Sequence, residues 1–179
     1  MGKYANVLKM YRFDLTEGKI NEQLVEIRNK ITPNKEKLKT LFSCLDLTSL
    51  NITDTTKHIS ELTEKINNFT HHFADIPQIA AFCFYPTFLE TVKKELTAQH
   101  VAIATVVGFP NPLTFIEVRI AESALAASEG ADEIDTVIPI QKILENNYDD
   151  AGEELEEIKH ACRHAKLKVI LETGALNNL

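Results

Sequence analysis

The chain has few of the features that mark secreted and membrane proteins. Its three cysteines, among 179 residues, are an odd number with wide, unmatched spacing. This excludes a disulfide framework and indicates free thiols in a reducing cytosol. No apolar run is long enough to cross a bilayer, and the N-terminus lacks the apolar core of a signal peptide. We therefore expect a cytoplasmic protein without a membrane partner.

Basic clusters are also lacking. The 19 lysines and arginines are outnumbered by 26 aspartates and glutamates, which gives a net charge of −7. Binding to a nucleic-acid backbone needs a concentrated basic surface, so we expect no nucleic-acid partner. Any phosphate that the protein meets should belong to a small molecule. With 44% hydrophobic residues, the chain can bury a core, and its length suits one domain.

The common nucleotide and metal motifs are absent. Neither G-x-G-x-x-G nor G-x-x-x-x-G-K-[ST] follows any apolar run, which excludes the phosphate-binding loops of common open-sheet nucleotide enzymes. His160 and His164 flank Cys162 at helical spacing. The zinc-protease pattern would need glutamate at the position of Ala161, so we interpret the pair as surface residues. We expect no metal and no cofactor.

From residue 41 onward, short apolar runs alternate with helical patterns. Near-continuous apolarity is typical of parallel strands that helices cover. Pro86 and Pro112 suit first helical turns, and Gly130 suits a helix C-cap. The alternation predicts βαβ units with a parallel sheet. The predicted strands are 41–47, 79–84, 101–107, 134–138 and 167–171.

Polar residues recur toward the expected carboxyl ends of these strands, where barrel enzymes build their active sites. We therefore predict an α/β fold, a TIM (β/α)8 barrel of which only about the first five β/α units are present. Residues 1–40 are polar and helix-prone, with Leu24, Ile27 and Ile31 on one helical face. We assign residues 1–40 to an N-terminal helical extension and residues 41–179 to the partial barrel.

Asp135 is the first candidate for chemistry. It interrupts an apolar strand, where burying a charge is expensive unless the charge is paired or used. Because strand side chains alternate, Glu133, Asp135 and Val137 share one face, which should point into the space that the sheet encloses. The alternative is a strand-end carboxylate held by backbone N–H groups.

Five further residues are candidates to line the site. Asp46 and Thr48 would orient substrate, or would form only a polar layer at the barrel mouth. Cys83 should face inward near substrate, although buried thiols are mostly packing residues, and we favour packing. The complete set of site-lining candidates is Asp46, Thr48, Cys83, Thr105 and Lys168.

Lys168 lies within a predicted strand, from which it can reach the interior. Its alternation partners are Ile170 and Glu172. We expect an ion pair with Glu172 or Asp135 rather than a role as nucleophile.

Five segments together resemble deoxyribose-phosphate aldolases, and they occur in the order of that family. The residues before 41 carry no part of the resemblance. The segments are CLDLTSL at 44–50, AAFCFYP at 80–86, IATVVGFP at 103–110, GADEIDTV at 130–137 and LKVILETG at 167–174.

The resemblance implies a TIM barrel and a class I aldolase that uses no metal. Such enzymes cleave 2-deoxy-D-ribose 5-phosphate, a small phosphorylated sugar, to glyceraldehyde 3-phosphate and acetaldehyde. A lysine amine forms a Schiff base with the substrate, and a nearby carboxylate moves the protons. The resemblance assigns that carboxylate to Asp135.

One family motif is missing. The resemblance places the Schiff-base lysine in a Lys-Thr-Ser-Thr-Gly-like stretch on the strand after Glu-Thr-Gly, whereas this sequence stops five residues after Gly174. We therefore expect an aldolase truncated after its fifth strand and inactive alone. The exposed first and fifth strands should favour homo-oligomers or aggregation. The alternatives are a non-catalytic α/β association or binding module, and another class I aldolase.

Overall fold

The computed structural model describes residues 2–11 and 16–176. Five parallel strands form one sheet in the order β1-β2-β3-β4-β5, so each strand pairs with the next one along the chain. This is the order of a barrel wall, whereas a doubly wound sheet reverses its strand order. The wall is open, with β1 and β5 at its edges. The strands are β1 (Asp46–Ser49), β2 (Ala81–Phe84), β3 (Ala102–Val107), β4 (Glu133–Val137) and β5 (Lys166–Ile170).

Helices connect successive strands and cover the convex face of the sheet, which confirms the predicted βαβ organisation. A 3₁₀ turn at Pro86–Phe88 precedes α5. No helix in the described part of the chain is both long and apolar enough to cross a membrane. The helices are α1 (Lys3–Met10), α2 (Glu17–Lys30), α3 (Lys35–Phe42), α4 (Thr56–His72), α5 (Leu89–Glu95), α6 (Ile116–Glu129), α7 (Ile140–Leu144), α8 (Tyr148–Ala161) and α9 (Thr173–Leu176).

The predicted first strand was wrong in its position, since 41–47 was expected and β1 begins only at Asp46. Asn34 caps α3 by accepting a hydrogen bond from the Lys37 amide at 2.9 Å, and the helix then continues to Phe42. The Phe42 ring stacks on Phe69 of α4 with centroids 5.2 Å apart. A short apolar run does not distinguish a helix end from a strand.

The residues that the sequence assigned to an N-terminal extension, 1–40, include α1, α2 and most of α3. Helix α1 contacts helix α8, because the Tyr4 amide donates to Asp149 Oδ1 at 2.7 Å and Lys3 pairs with Glu156. The predictions made for Met1, residues 12–15 and residues 177–179 fall outside the described part of the chain.

The two faces of the sheet carry different side chains. Large apolar residues such as Phe82, Phe84 and Ile134 pack against the helices on the convex face. Smaller residues, including Ala81, Cys83, Ala104 and Val106, line the concave face. Since side chains alternate along each strand, this division leaves room inside the wall for polar groups from β1, β4 and β5.

Gly130 ends α6 in a left-handed conformation, with φ +105°. A Cβ atom at this position would lie 2.6 Å from Lys93 Nζ, which donates to the Glu129 carbonyl. We expect Gly130→Ala to lower the free energy of unfolding by about 1–2 kcal/mol, because L-residues are strained in this region. Urea denaturation measures the loss.

Gly18 provides the matched control, since it lies in the first turn of α2, where a Cβ atom would make only an ordinary contact of 3.9 Å with Thr16 Oγ1. Gly18→Ala should leave stability unchanged or raise it slightly, because alanine is the better helix former. Equal losses in the two variants would contradict the strain argument.

Candidate active site

Four charged side chains meet on the concave face of the sheet. Lys168 Nζ lies 2.7 Å from Asp46 Oδ2, 3.1 Å from Glu133 Oε2 and 3.1 Å from Asp135 Oδ1. We call Asp46, Glu133, Asp135 and Lys168 the interior charge cluster. The predicted ion pair between Lys168 and Asp135 is confirmed. The same ammonium also joins β5 to β1, the opposite edge of the wall.

Strand register and alternation place the pair at the centre of the cluster. Asp135 on β4 is the register partner of Lys168 on β5. Ile134 and Thr136, on either side of Asp135, are fully buried, and they turn toward the helices. Asp135 therefore points to the concave side, as the alternation predicted.

Burial and neighbouring charges act in opposite directions on the pKa values of the cluster. Burial opposes the charge on Lys168, but hydrogen bonds to Asp46 and Asp135 outweigh it and raise the pKa of the ammonium. Burial is the main reason that the pKa of Asp135 is raised, although Lys168 acts in the opposite direction. Lys168 is thus held as an ammonium and is a poor nucleophile, whereas Asp135 is closer to the protonated form.

Glu133 behaves differently from Asp135. Burial acts to raise its pKa, but hydrogen bonds from Lys166 and Lys168 outweigh this and lower it. Lys166 Nζ lies 2.6 Å from Glu133 Oε1. Glu133 is therefore a fixed anion, and Asp135 is the carboxyl group of the cluster best suited to exchange a proton.

Asp135 also has an oxygen with unused hydrogen-bonding capacity. Its buried Oδ1 lies 3.1 Å from the Lys168 ammonium and accepts no other hydrogen bond among the described residues. Its Oδ2 lies 4.0 Å from Cys83 Sγ. A lone pair is thus free to accept a proton at a position facing the interior.

The remaining candidates divide between the two faces. Thr48 shares the concave face with Asp46, is the register partner of Cys83, and donates to the Asp46 carbonyl at 3.2 Å. Thr105 is fully buried and donates to the Phe84 carbonyl at 2.7 Å. By alternation along β3 it faces the helices with Ile103 and Val107, so the structure does not bring it to the interior charge cluster.

The interior charge cluster does not lie where the sequence placed the site along the strands. The site was predicted at the carboxyl ends of the strands. Asp46, however, is the first residue of β1, and Asp135 and Lys168 are the third residues of five-residue strands. Sequence reasoning placed Glu133 on the face of Asp135 but did not select it for the site. The alternation that puts Glu133 on the same face as Asp135 could have identified it as a site residue.

A comparison with protein families identifies the chain. The model described as "DeoC/LacD family aldolase" matches residues 40–178. The chain belongs to this aldolase family. The match begins at the last residue of the extension assigned from sequence, and it includes every member of the interior charge cluster.

Solved structures resemble this DeoC/LacD family member over most of its length. QR15, an aldolase, is 29% identical with a TM-score of 0.67, and the match covers 76% of this chain and 57% of that one. A candidate deoxyribose-phosphate aldolase from Coccidioides immitis is 21% identical with a TM-score of 0.70, over 92% and 64% of the two chains. A tetrameric deoxyribose phosphate aldolase from Aeropyrum pernix is 21% identical with a TM-score of 0.59, over 76% and 54%. This family member therefore spans about 54–64% of the length of these structures.

The reactivity of Cys83 can be used to probe the site of this DeoC/LacD family aldolase chemically. Burial and, after it, the negative charge of Asp135 raise the pKa of the Cys83 thiol to about 12. At pH 8 Cys83 is therefore held almost entirely as the thiol. We expect iodoacetamide at pH 8 to modify the exposed Cys44 while Cys83 stays unmodified, as measured by peptide mass spectrometry.

The buried Cys162 provides the control for this labelling experiment, because burial also raises its pKa but it lies on the helix side of the sheet. Asp135→Asn should speed the alkylation of Cys83 and leave Cys162 unchanged. Equal alkylation rates for Cys44 and Cys83 in the parent protein would show that the site is open or misplaced.

Proposed function

We propose that this chain carries the proton-transfer part of a deoxyribose-phosphate aldolase site. The reaction is the cleavage of 2-deoxy-D-ribose 5-phosphate to glyceraldehyde 3-phosphate and acetaldehyde through a lysine Schiff base. Asp135 is the residue that moves the proton. The observation that carries the proposal is the contact between Asp135 and Lys168 on the concave face of the sheet.

The chemistry of the cleavage explains why such a carboxyl group is needed. The iminium nitrogen accepts the electron pair of the breaking carbon–carbon bond, which produces an enamine. At the same time the substrate hydroxyl on the departing carbon loses its proton to a base and becomes an aldehyde. The enamine carbon must then gain a proton. The free Oδ1 lone pair and the raised pKa of Asp135 suit one group to both transfers.

Lys168 has a supporting role in this proposal. Three carboxylates surround its ammonium and keep it charged, so it does not supply the Schiff-base amine. Once Asp135 has given its proton to the enamine carbon, the Lys168 ammonium stabilises the carboxylate that remains. None of the 179 residues falls in the lysine motif that the family resemblance implies, so the Schiff-base amine is not assigned within this sequence.

The first test asks whether any lysine of the chain forms a Schiff base. The 179-residue protein is treated with acetaldehyde and sodium borohydride, and peptides are analysed for a reductively ethylated lysine. We expect no site-specific labelling and, in particular, none at Lys168. Stoichiometric labelling of Lys168 would overturn the assignment of the amine and proton-transfer roles to different groups.

The second test asks whether the interior charge cluster meets the substrate. Two-dimensional NMR follows the chain as 2-deoxy-D-ribose 5-phosphate is added at millimolar concentration. We expect the signals of Asp135, Lys168 and Cys83 to shift, and we expect Asp135→Asn to abolish these shifts. Shifts confined to the convex face, or equal shifts in the variant, would instead favour a non-catalytic binding module.

A further inference from the structure

Arg119 lies directly behind the strand that carries Asp135. It projects from α6 into the convex side of the sheet, and it is 1% exposed. Its Nη2 donates to Thr136 Oγ1 at 2.8 Å and to the Val137 carbonyl, while its Nη1 pairs with Glu154 of α8. One guanidinium therefore holds both residues that follow Asp135 on β4.

The hydrogen bonds around Arg119 extend to the neighbouring strand, β3. Thr136 Oγ1 donates to the Val107 carbonyl at 3.2 Å, which ties the end of β4 to the end of β3. Arg119 also lies beneath the loop after β3, since a Cβ atom on Gly108 would be only 2.8 Å from Arg119 Nε. The Gly108 amide in turn donates to Glu122 of the same helix at 2.8 Å.

Stability alone does not explain this arrangement. Removing an ion pair from water costs free energy that the Coulomb attraction only partly restores, and well-packed apolar residues often replace such pairs without loss. The pair here is imperfect as well, because the buried Arg119 Nε has no hydrogen-bond partner among the described residues. An apolar side chain would fill the same space, but it could not hold Thr136 Oγ1 and the Val137 carbonyl.

We propose that Arg119 is a positioning residue that fixes the Asp135 carboxylate by clamping the two following residues of β4 from the opposite face of the sheet. The inference rests on the proposed function of Asp135 for its catalytic meaning. Its geometric content, that Arg119 sets the placement of Asp135 against Lys168 and Cys83, is independent of that function. A displacement of the strand end would move the carboxylate relative to both partners.

The experiment measures Asp135 itself in the 179-residue chain. Carbon-13 NMR of labelled aspartate gives the titration midpoint of the Asp135 carboxyl group, and iodoacetamide gives the alkylation rate of Cys83. The main variant is Arg119→Met with Glu154→Gln, which removes both buried charges together. We expect its Asp135 midpoint to move by at least about half a pH unit, roughly a threefold change in the ionisation equilibrium, and the Cys83 rate to change with it.

Lys142→Met is the matched control. Lys142 Nζ contacts the other oxygen of Glu154 at 2.8 Å, and it has no contact with β4 among the hydrogen bonds and ion pairs of the described residues. Its Asp135 midpoint should equal that of the parent. A parent-like midpoint in the Arg119 variant, or an equal shift in the Lys142 control, overturns the proposal.

A conservative variant covers the case in which the double variant does not fold. Arg119→Lys keeps a cation opposite Glu154, but a single ammonium lacks the fork that serves α8 and β4 at once. We expect a smaller shift in the same direction, and a parent-like midpoint would overturn the proposal. These readouts do not require aldolase activity, so failure of the substrate-binding test above leaves the positioning result intact, and the reverse also holds.

Discussion

Glu154→Leu is expected to lower the free energy of unfolding by about 3–5 kcal/mol at pH 7. The substitution leaves the guanidinium of Arg119, which is 1% exposed, without its carboxylate in the interior. Removing one partner of a buried pair carries this cost because the remaining charge has lost both its water and its counter-ion. For a chain of this size the loss corresponds to a fall in Tm of roughly 10 °C, which thermal denaturation followed by circular dichroism measures.

Two further variants test the cause. Arg119→Met combined with Glu154→Leu should recover most of the loss, because neither charge is then left unpaired. Lys142→Met should cost much less than Glu154→Leu, since the Lys142 side chain is 35% exposed and can return to water. An additive double variant, with no recovery, would show that the loss comes from packing and not from charge.

Lys168→Met is expected to destabilise the chain by about 2 kcal/mol at pH 7. The substitution leaves Asp46, Glu133 and Asp135 facing one another without the cation that neutralises them. The figure lies below the range for fully buried pairs because the Lys168 side chain is 32% exposed, and solvent screens part of the interaction. Urea denaturation at pH 7 measures the loss.

The pH dependence of this variant has a definite sign. Lys168 lowers the pKa values of Glu133 and Asp135, so its removal raises both in the folded state, and ionisation of these groups then favours folding less. The deficit relative to the parent should therefore shrink as the pH falls from 7 to about 4 and the carboxylates take up protons. In the parent, the pKa of Lys168 is raised on folding, so its contribution is complete below its usual value of 10.5 and is lost as the pH rises through the folded value.

Lys166→Met is the control on the same strand. Lys166 contacts Glu133 at 2.6 Å, but its side chain is 70% exposed. We expect a small change with little pH dependence, because an exposed pair is screened by water and salt. A deficit as large as that of Lys168→Met would mean that the central position of Lys168 among three carboxylates does not decide the loss.

The sequence was sufficient to predict the features that local patterns encode. Apolar runs separated by helical periodicity predicted five parallel strands with helices between them, and strand alternation placed Asp135 on the enclosed face. Gly130 was recognisable as the end of α6 because few other residues adopt its backbone conformation. The first strand was misplaced since Leu41 and Phe42 are apolar in either a helix or a strand.

Only the tertiary structure decided which charged groups meet. The contact between Asp46 and Lys168 joins residues 122 positions apart, and it depends on the curvature of the whole sheet. Arg119 and Glu154 form an ion pair because α6 and α8 pack side by side. No local sequence pattern indicates this contact behind Asp135. Thr105 lies on the helix side, where its hydroxyl donates to the Phe84 carbonyl of the neighbouring strand β2. Alternation and periodicity act over a few residues, whereas these contacts require elements that are distant in the chain to come together, so packing alone sets them.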